Sequence, residues 1–241
     1  MRKFLILICA CIGIVGVALA ETLNVTWYNT DGTTYDTTTC TVGGTLTLPS
    51  TPPTKHGYTF QGWAVYTPIE YIESTGTQWI NTGITCSMAN RFVLTMSFSY
   101  FTNNYQMNGW AAEVQIGITS NGTWWNISAA SSPKATLGQK YIAELVIRSS
   151  TGELIVDGVL GNSVDISGKC RSNSFALFNA AGGNFYSREK LYSFKAYNDN
   201  VLIRDFIPIL DSDGVACMYD RVSGTIFYNA GTGDFVAGPA I

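Results

Sequence analysis

Apolar and polar positions alternate in short segments along most of this chain, and the last fifth shows the pattern best. There the apolar segments are cut at Asn198-Asp199-Asn200, Asp211-Ser212-Asp213-Gly214, Arg221-Val222-Ser223-Gly224 and Gly231-Thr232-Gly233. Asn, Asp and Gly tolerate positive φ or bond their own backbone, so each cut reverses a strand at little cost. The same reading predicts strands at 91–100, 111–118, 123–128, 141–148, 153–156 and 175–178. Turn pairs such as Asn121-Gly122, Asp157-Gly158 and Gly182-Gly183 separate them. Residues 69–84 hold two strand-like runs around Ser74-Thr75-Gly76-Thr77, which predicts an opening hairpin. No helical period intervenes. The expected fold is all-β, a two-sheet antiparallel jelly-roll sandwich.

The first part of the chain reads as a smaller unit, residues 21–67, before the larger domain at 68–241. Strand-like runs at 23–27, 37–42 and 45–48 are split by turns at Asn29-Thr30-Asp31-Gly32 and Gly43-Gly44. Pro49, Pro52 and Pro53 then hold the chain extended. Tyr58, Phe60 and Trp63 are the expected miniature core, since a unit this small has few other large side chains to bury. Residues 66–68 are expected to form a linker.

Composition narrows the setting. At 46% hydrophobic and 13% charged, the 241 residues form a globular chain. Residues 1–20 have the layout of a secretory signal peptide: Arg2 and Lys3, an apolar stretch, then Ala18-Leu19-Ala20 before Glu21. Cleavage is expected between Ala20 and Glu21, with retention as a short membrane anchor as the rival. No second apolar span follows, so no membrane span is expected after cleavage. Without Arg2 and Lys3 the chain is more acidic than its formal −3. No basic cluster remains to neutralise phosphates, which argues against nucleic-acid binding. Cys40, Cys86, Cys170 and Cys217 are disulfide candidates for an exported chain, with the connectivity open. No C-x-x-C occurs and His56 is the only histidine, which argues against a zinc site.

Two resemblances add to this. Val25-Thr26-Trp27, Gly44-Thr45-Leu46-Thr47-Leu48-Pro49 and Lys55-His56-Gly57-Tyr58-Thr59-Phe60-Gln61-Gly62-Trp63 resemble the internalin-type (Listeria-Bacteroides) surface repeat. That resemblance implies a small N-terminal β-grasp-like unit of the kind strung along exported adhesins. Tyr71 to Gly83 at one end, with Phe194-Lys195-Ala196-Tyr197, the 201–208 run, Asp220-Arg221-Val222-Ser223-Gly224 and the 227–233 run at the other, resemble concanavalin-A-like, laminin-G-like jelly rolls. Those occur in bacterial surface and phage tail proteins. The resemblance implies a location outside the cytoplasm, secreted or at a bacterial cell surface. It implies little about the ligand, because the fold hosts lectins, hydrolases and adhesion domains.

The candidate chemistry is sparse. The E-x-D-x-x-E run of sandwich glycoside hydrolases is absent. Glu153 and Asp157 share strand parity, yet four residues put them about 13 Å apart, too far for either glycosidase geometry. His56 has no G-x-S-x-G partner for a serine mechanism. The expectation is therefore a non-catalytic module. Asp211 and Asp213 supply oxygens that could hold a Ca2+ cofactor, with turn-making as the plainer role. Glycan recognition would use aromatic faces and amides, and Trp110, Trp124, Trp125, Asn121 and Asn126 are the candidates, with Tyr100, Phe101 and Tyr105 nearby. Trp124 and Trp125 must face opposite sides of a strand, so at most one is core. The expected partner is a glycan or a surface protein. The alternative is a structural or assembly protein of the envelope or a tail-like fibre.

Overall fold

β-branched and aromatic residues at alternating positions, cut by Asn, Asp and Gly, leave nothing for a helix to use. Among the described residues the chain is strand and turn only. The computed structural model describes residues 7–8, 22–28, 33–41, 45–54, 65–102, 105–110, 114–126, 129–169, 173–180 and 185–241. The expected miniature core of Tyr58, Phe60 and Trp63, together with His56, Cys170 and the Ala20/Glu21 cleavage point, lies outside them.

In chain order the early strands are β1 (Leu7–Ile8), β2 (Thr22–Tyr28), β3 (Thr34–Thr41), β4 (Val65–Pro68), β5 (Ile72–Glu73), β6 (Ile80–Thr85) and β7 (Asn90–Phe98). The middle holds β8 (Gln106–Gly109), β9 (Gln115–Ile118), β10 (Thr123–Asn126), β11 (Ala129–Lys134), β12 (Tyr141–Arg148), β13 (Thr151–Val156) and β14 (Val159–Asp165). Last come β15 (Ser174–Leu177), β16 (Glu189–Asn198), β17 (Val201–Leu210), β18 (Ala216–Asp220), β19 (Thr225–Phe227) and β20 (Val236–Ala237).

They form two sheets. The larger runs β14-β13-β12-β7-β16-β17-β4-β1-β2-β3, with β18, β19, β5 and β20 branching from it. The smaller runs β11-β10-β9-β8-β15-β6. Strand pairs are antiparallel apart from β1 with β4. The inner faces share one core in which Phe92, Phe175 and Phe194 stack, with Trp110 edge-on to Phe92 and Phe175. The fold is the all-β sandwich expected. A separate cluster joins Tyr66 of β4 to Ile209, Cys217 and Tyr219 of β17 and β18. Another, of Val25 and Trp27 with Tyr35, Cys40 and Leu46, lies in the N-terminal hairpin.

Three local expectations are corrected. Residues 66–68 are strand rather than linker: Thr67 and Pro68 pair with Leu210 and Ile209. Ser74–Thr77 does not close a hairpin, because β5 pairs in the larger sheet and β6 in the smaller. The chain crosses between sheets there, and Gln78 stabilises the crossing by accepting from Thr75 N–H at 2.9 Å through Oε1. Finally, within the expected 111–118 strand Val114 precedes β9, which begins at Gln115, and its carbonyl accepts from Trp110 N–H at 3.0 Å; residues 111–113 lie outside the described residues.

Candidate functional site

The outward face of the smaller sheet is fixed by its register. Trp125 of β10 lies opposite Gly117 of β9, which lies opposite Met107 of β8. In the next row Gln115 lies opposite Gly109, then Ala176 of β15, then Asn81 of β6. Residues directly opposite one another share a face, so these seven look away from the core. Two of the central positions are glycine for a steric reason. A Cβ at Gly117 would stand 1.9 Å from Gln106 O, and one at Gly109 would stand 2.6 Å from Val114 O.

Met107 Sδ covers Gly117, 2.8 Å from where a Cβ would stand, and Met107, Gly109, Gln115, Gly117 and Ala176 of this face are buried. Trp125, half-buried, meets Tyr105 at a centroid distance of 5.1 Å, and Tyr105 meets Phe185 edge-on at 6.4 Å. Tyr105 is 38% exposed. A second aromatic pair, Tyr71 and Tyr192, is already covered: Lys190 and Lys140 Nζ stand 4.2 and 3.7 Å from their respective ring centroids. Trp125 and Tyr105 are both part-exposed, as stacking on an apolar sugar face requires.

Of the residues singled out from sequence, Trp125 has its ring on this outward face, and Tyr105 packs against it. Trp110 and Trp124 are corrected out of the candidate set, both fully buried. Trp110 donates Nε1–H to Ile84 O at 3.2 Å, and Trp124 packs edge-on against Phe98 and Tyr141. Asn126 is corrected likewise: it points between the sheets and donates to Gly152 O and Asn162 Oδ1, each at 3.2 Å. Asn121 is exposed, but its Oδ1 accepts from the Thr119 and Thr123 hydroxyls and from Thr123 N–H, the pattern of a turn.

Asp211 is also a turn residue. Its Oδ1 accepts from Asp213 and Val215 N–H, at 3.0 and 2.9 Å, and its Oδ2 from Tyr228 O–H at 2.9 Å. Burial pushes its carboxyl up, yet these hydrogen bonds outweigh it and hold the group below its ordinary range. Asp213 is exposed. Among the described residues no three His, Cys, Asp or Glu gather as a metal site would need. Asp157 is a turn residue too, at φ 50°, accepting from Ile142 N–H.

The cysteine expectation is corrected in part. Cys40 and Cys217 are free thiols, and they sit in different clusters. Burial pushes the Cys217 thiol up to about 12, so it is an inert core group. Cys86 is disulfide-bonded.

Sequence reading missed two features. Gln115 sits in a stretch that reads as plain alternation, and nothing marks it until its neighbours prove to be glycine. Glu189 follows Arg188 and precedes Lys190, which reads as a solvated charge run, but it is fully buried between the sheets. Its Oε2 accepts from Ser187 O–H at 2.5 Å and its Oε1 from Asn108 Nδ2 at 2.8 Å. Burial, against these two bonds, raises its carboxyl to about 7. Asn108 Oδ1 in turn accepts from Phe178 N–H at 2.6 Å, and Phe178 holds φ at 64°. Such an angle persists in a bulky residue only where the surroundings over-determine it.

Among the described residues no helix is long and apolar enough to cross a membrane. No curated protein matches the chain. In fold the chain is similar to the crystal structure of a "putative carbohydrate binding protein" from Bacteroides ovatus ATCC 8483. The TM-score is 0.51 and the identity 10%, over 93% of this chain and 70% of that one. At that identity the likeness is one of fold. Residues 24–89, from the N-terminal hairpin through β6, match the Listeria-Bacteroides repeat domain family.

Proposed function

We propose that this is an exported, non-catalytic bacterial surface module that binds glycan through the outward face of its smaller sheet. The observation that carries this reading is the Trp125–Tyr105 pair at 5.1 Å, part-exposed beside a position where only glycine fits. Sugar rings present C–H faces that stack on such aromatics. The sandwich is on this reading a concanavalin-A-like jelly roll, and the N-terminal hairpin belongs to a β-grasp-like surface repeat. The match to the Listeria-Bacteroides repeat supports a surface location, and the fold likeness to a carbohydrate-binding candidate supports the ligand class.

The test is a glycan array probed with the exported protein and its Trp125→Ala variant. Selective binding by the wild type, lost by about 30-fold or more in a variant that unfolds normally, is the expected result, since a central aromatic anchor carries about 2 kcal/mol or more. Equal binding by the two would remove the platform from the site. A blank array from folded protein would move the assignment to envelope or fibre assembly.

Export carries its own expectation. Mass spectrometry of the secreted protein should find Glu21 at the N-terminus, and peptide mapping without reductant should find Cys86 linked to Cys170. Thr85 pairs with Ser174, so the two cysteines flank adjoining strand ends within a few residues' reach. Cleavage would remove β1, whose pairing amounts to Leu7 opposite Trp27 and Leu7 and Ile8 beside Val65 and Tyr66. The β2–β3 and β4–β17 pairings do not depend on it. An intact residue 1 would point to the retained anchor, and a free Cys170 thiol would refute the pairing.

A further inference from the structure

Gln115 lies on the platform face and is 6% exposed. Its Oε1 is buried with no hydrogen-bond partner, and its Nε2 makes none among the described residues. The row it occupies explains why. Gly109 opposite and Gly117 two residues along carry no side chain, Ala176 beyond Gly109 carries only a methyl, and Met107 in the adjoining row is apolar. A Cβ on Gly109 would stand 2.7 Å from Gln115 Cβ, so the sheet is drawn tight under the amide and gives it nothing to bond. Burying an amide unpaired is costly, and it is kept where a further group completes it. Among the described residues the other unpartnered buried side-chain groups are Trp124 Nε1, Asn126 Oδ1, Asp205 Oδ1 and Tyr219 O–H. Trp124 and Asn126 face the interior, while Asp205 and Tyr219 belong to the larger sheet.

Resting on the glycan reading above, we infer that Gln115 is the polar determinant of the platform, pairing its free amide with a hydroxyl of a neutral hexopyranose stacked on Trp125. A stacked pyranose presents apolar C–H surface to the indole and hydroxyls at its edge, and an amide can accept from and donate to such an edge. The ligand is assigned as neutral because the two central rows hold Trp125, Gly117, Met107, Gln115, Gly109, Ala176 and Asn81, none of them charged. A uronate or sialate carboxylate would find no cation there.

Native affinity electrophoresis tests this. The exported protein is run through gels holding hydroxyethylcellulose, xyloglucan, galactomannan or, as the acidic probe, polygalacturonate. Gln115→Met keeps the shape and removes both polar ends. Expected are retardation by a neutral polymer, its loss in Trp125→Ala, and about tenfold weaker retardation in Gln115→Met. Thermal melting of Gln115→Met should match or exceed wild type, because no described residue bonds the amide. Full retardation of Gln115→Met with loss in Trp125→Ala would overturn the assignment of Gln115 and leave the platform standing. Full retardation of Trp125→Ala would overturn the platform. Retardation by polygalacturonate alone would overturn the neutral class. Absence of retardation in every gel would overturn both readings, and a lower melting temperature for Gln115→Met would show the amide to be structural.

Discussion

Replacing Glu189 by Gln should stabilise the protein by about 3 kcal/mol at pH 8 and leave it unchanged at pH 4. The reason is the cost of a buried charge. Glu189 is fully buried, and its two hydrogen-bond partners, Ser187 and Asn108, are both neutral. Its carboxyl is therefore held at about 7 against an ordinary 4.5. Between these values the folded state holds a proton that the unfolded chain has released. Stability is thus full below the unfolded value and falls as pH rises through about 7. Gln reproduces the protonated form: its carbonyl accepts from Asn108 and its Nδ-like amide nitrogen, Nε2, donates to Ser187 Oγ. Denaturant titrations of both proteins from pH 4 to pH 8 measure the difference directly. Hydrogen bonding lowers Asp165 and Asp211 instead, so their contribution is lost toward acid, below this window. Subtracting the variant's curve from the wild type's cancels the titration of every group the two proteins share. Parallel curves for the two proteins would show that Glu189 is not held protonated.

That carboxylate also shows what the sequence can and cannot convey. β12 is legible as residues 141–148 because its buried positions alternate with exposed ones and turns bound it. β8, Gln106–Gly109, is not, since its inward residues Gln106 and Asn108 are polar and are satisfied by Arg188 N–H, Tyr100 O, Glu189 and Phe178 N–H, partners distant in sequence or brought close only by the fold. β14 was missed because Gly161-Asn162-Ser163 interrupts its apolar alternation, although the strand pairs with β13 along its length. Adjacent Trp124 and Trp125 do face opposite ways, as strand geometry demands. Which of them is core follows from the pairing of Trp124 with Ile118 and of Trp125 with Gly117. The orphaned amide of Gln115 is legible only once both glycines are known to flank it.

Replacing Gly231 by Ala should destabilise the protein by about 3 kcal/mol, the upper range for forcing atoms into a filled site. The turn at residues 229–233 does not stand alone. It lies against the crossing at residues 77–79: Ala230 N–H donates to Trp79 O at 2.8 Å, Thr232 N–H to Thr77 O at 3.2 Å, and Thr77 O–H to Thr232 O at 2.8 Å. Asn229 Oδ1 accepts from Trp79 N–H and from Gly231 N–H, and so ties both chains to one side chain. A Cβ at Gly231 would stand 2.0 Å from Thr77 O and 2.9 Å from Trp79 Cδ1. The first of these is backbone and has no rotamer to change, so the two segments must separate and give up several of these bonds. The 77–79 crossing and the 229–233 turn are thus two halves of one lock, with Gly231 packed directly on the Thr77 carbonyl. Denaturant unfolding of Gly231→Ala measures the cost. At Gly214, where an added Cβ would meet nothing within 4 Å but φ is 77°, alanine imposes backbone strain without a clash. It should cost about 1 kcal/mol, the expense of a left-handed conformation for a residue with a side chain. If the two variants lose equal stability, close approach is not what keeps glycine at 231.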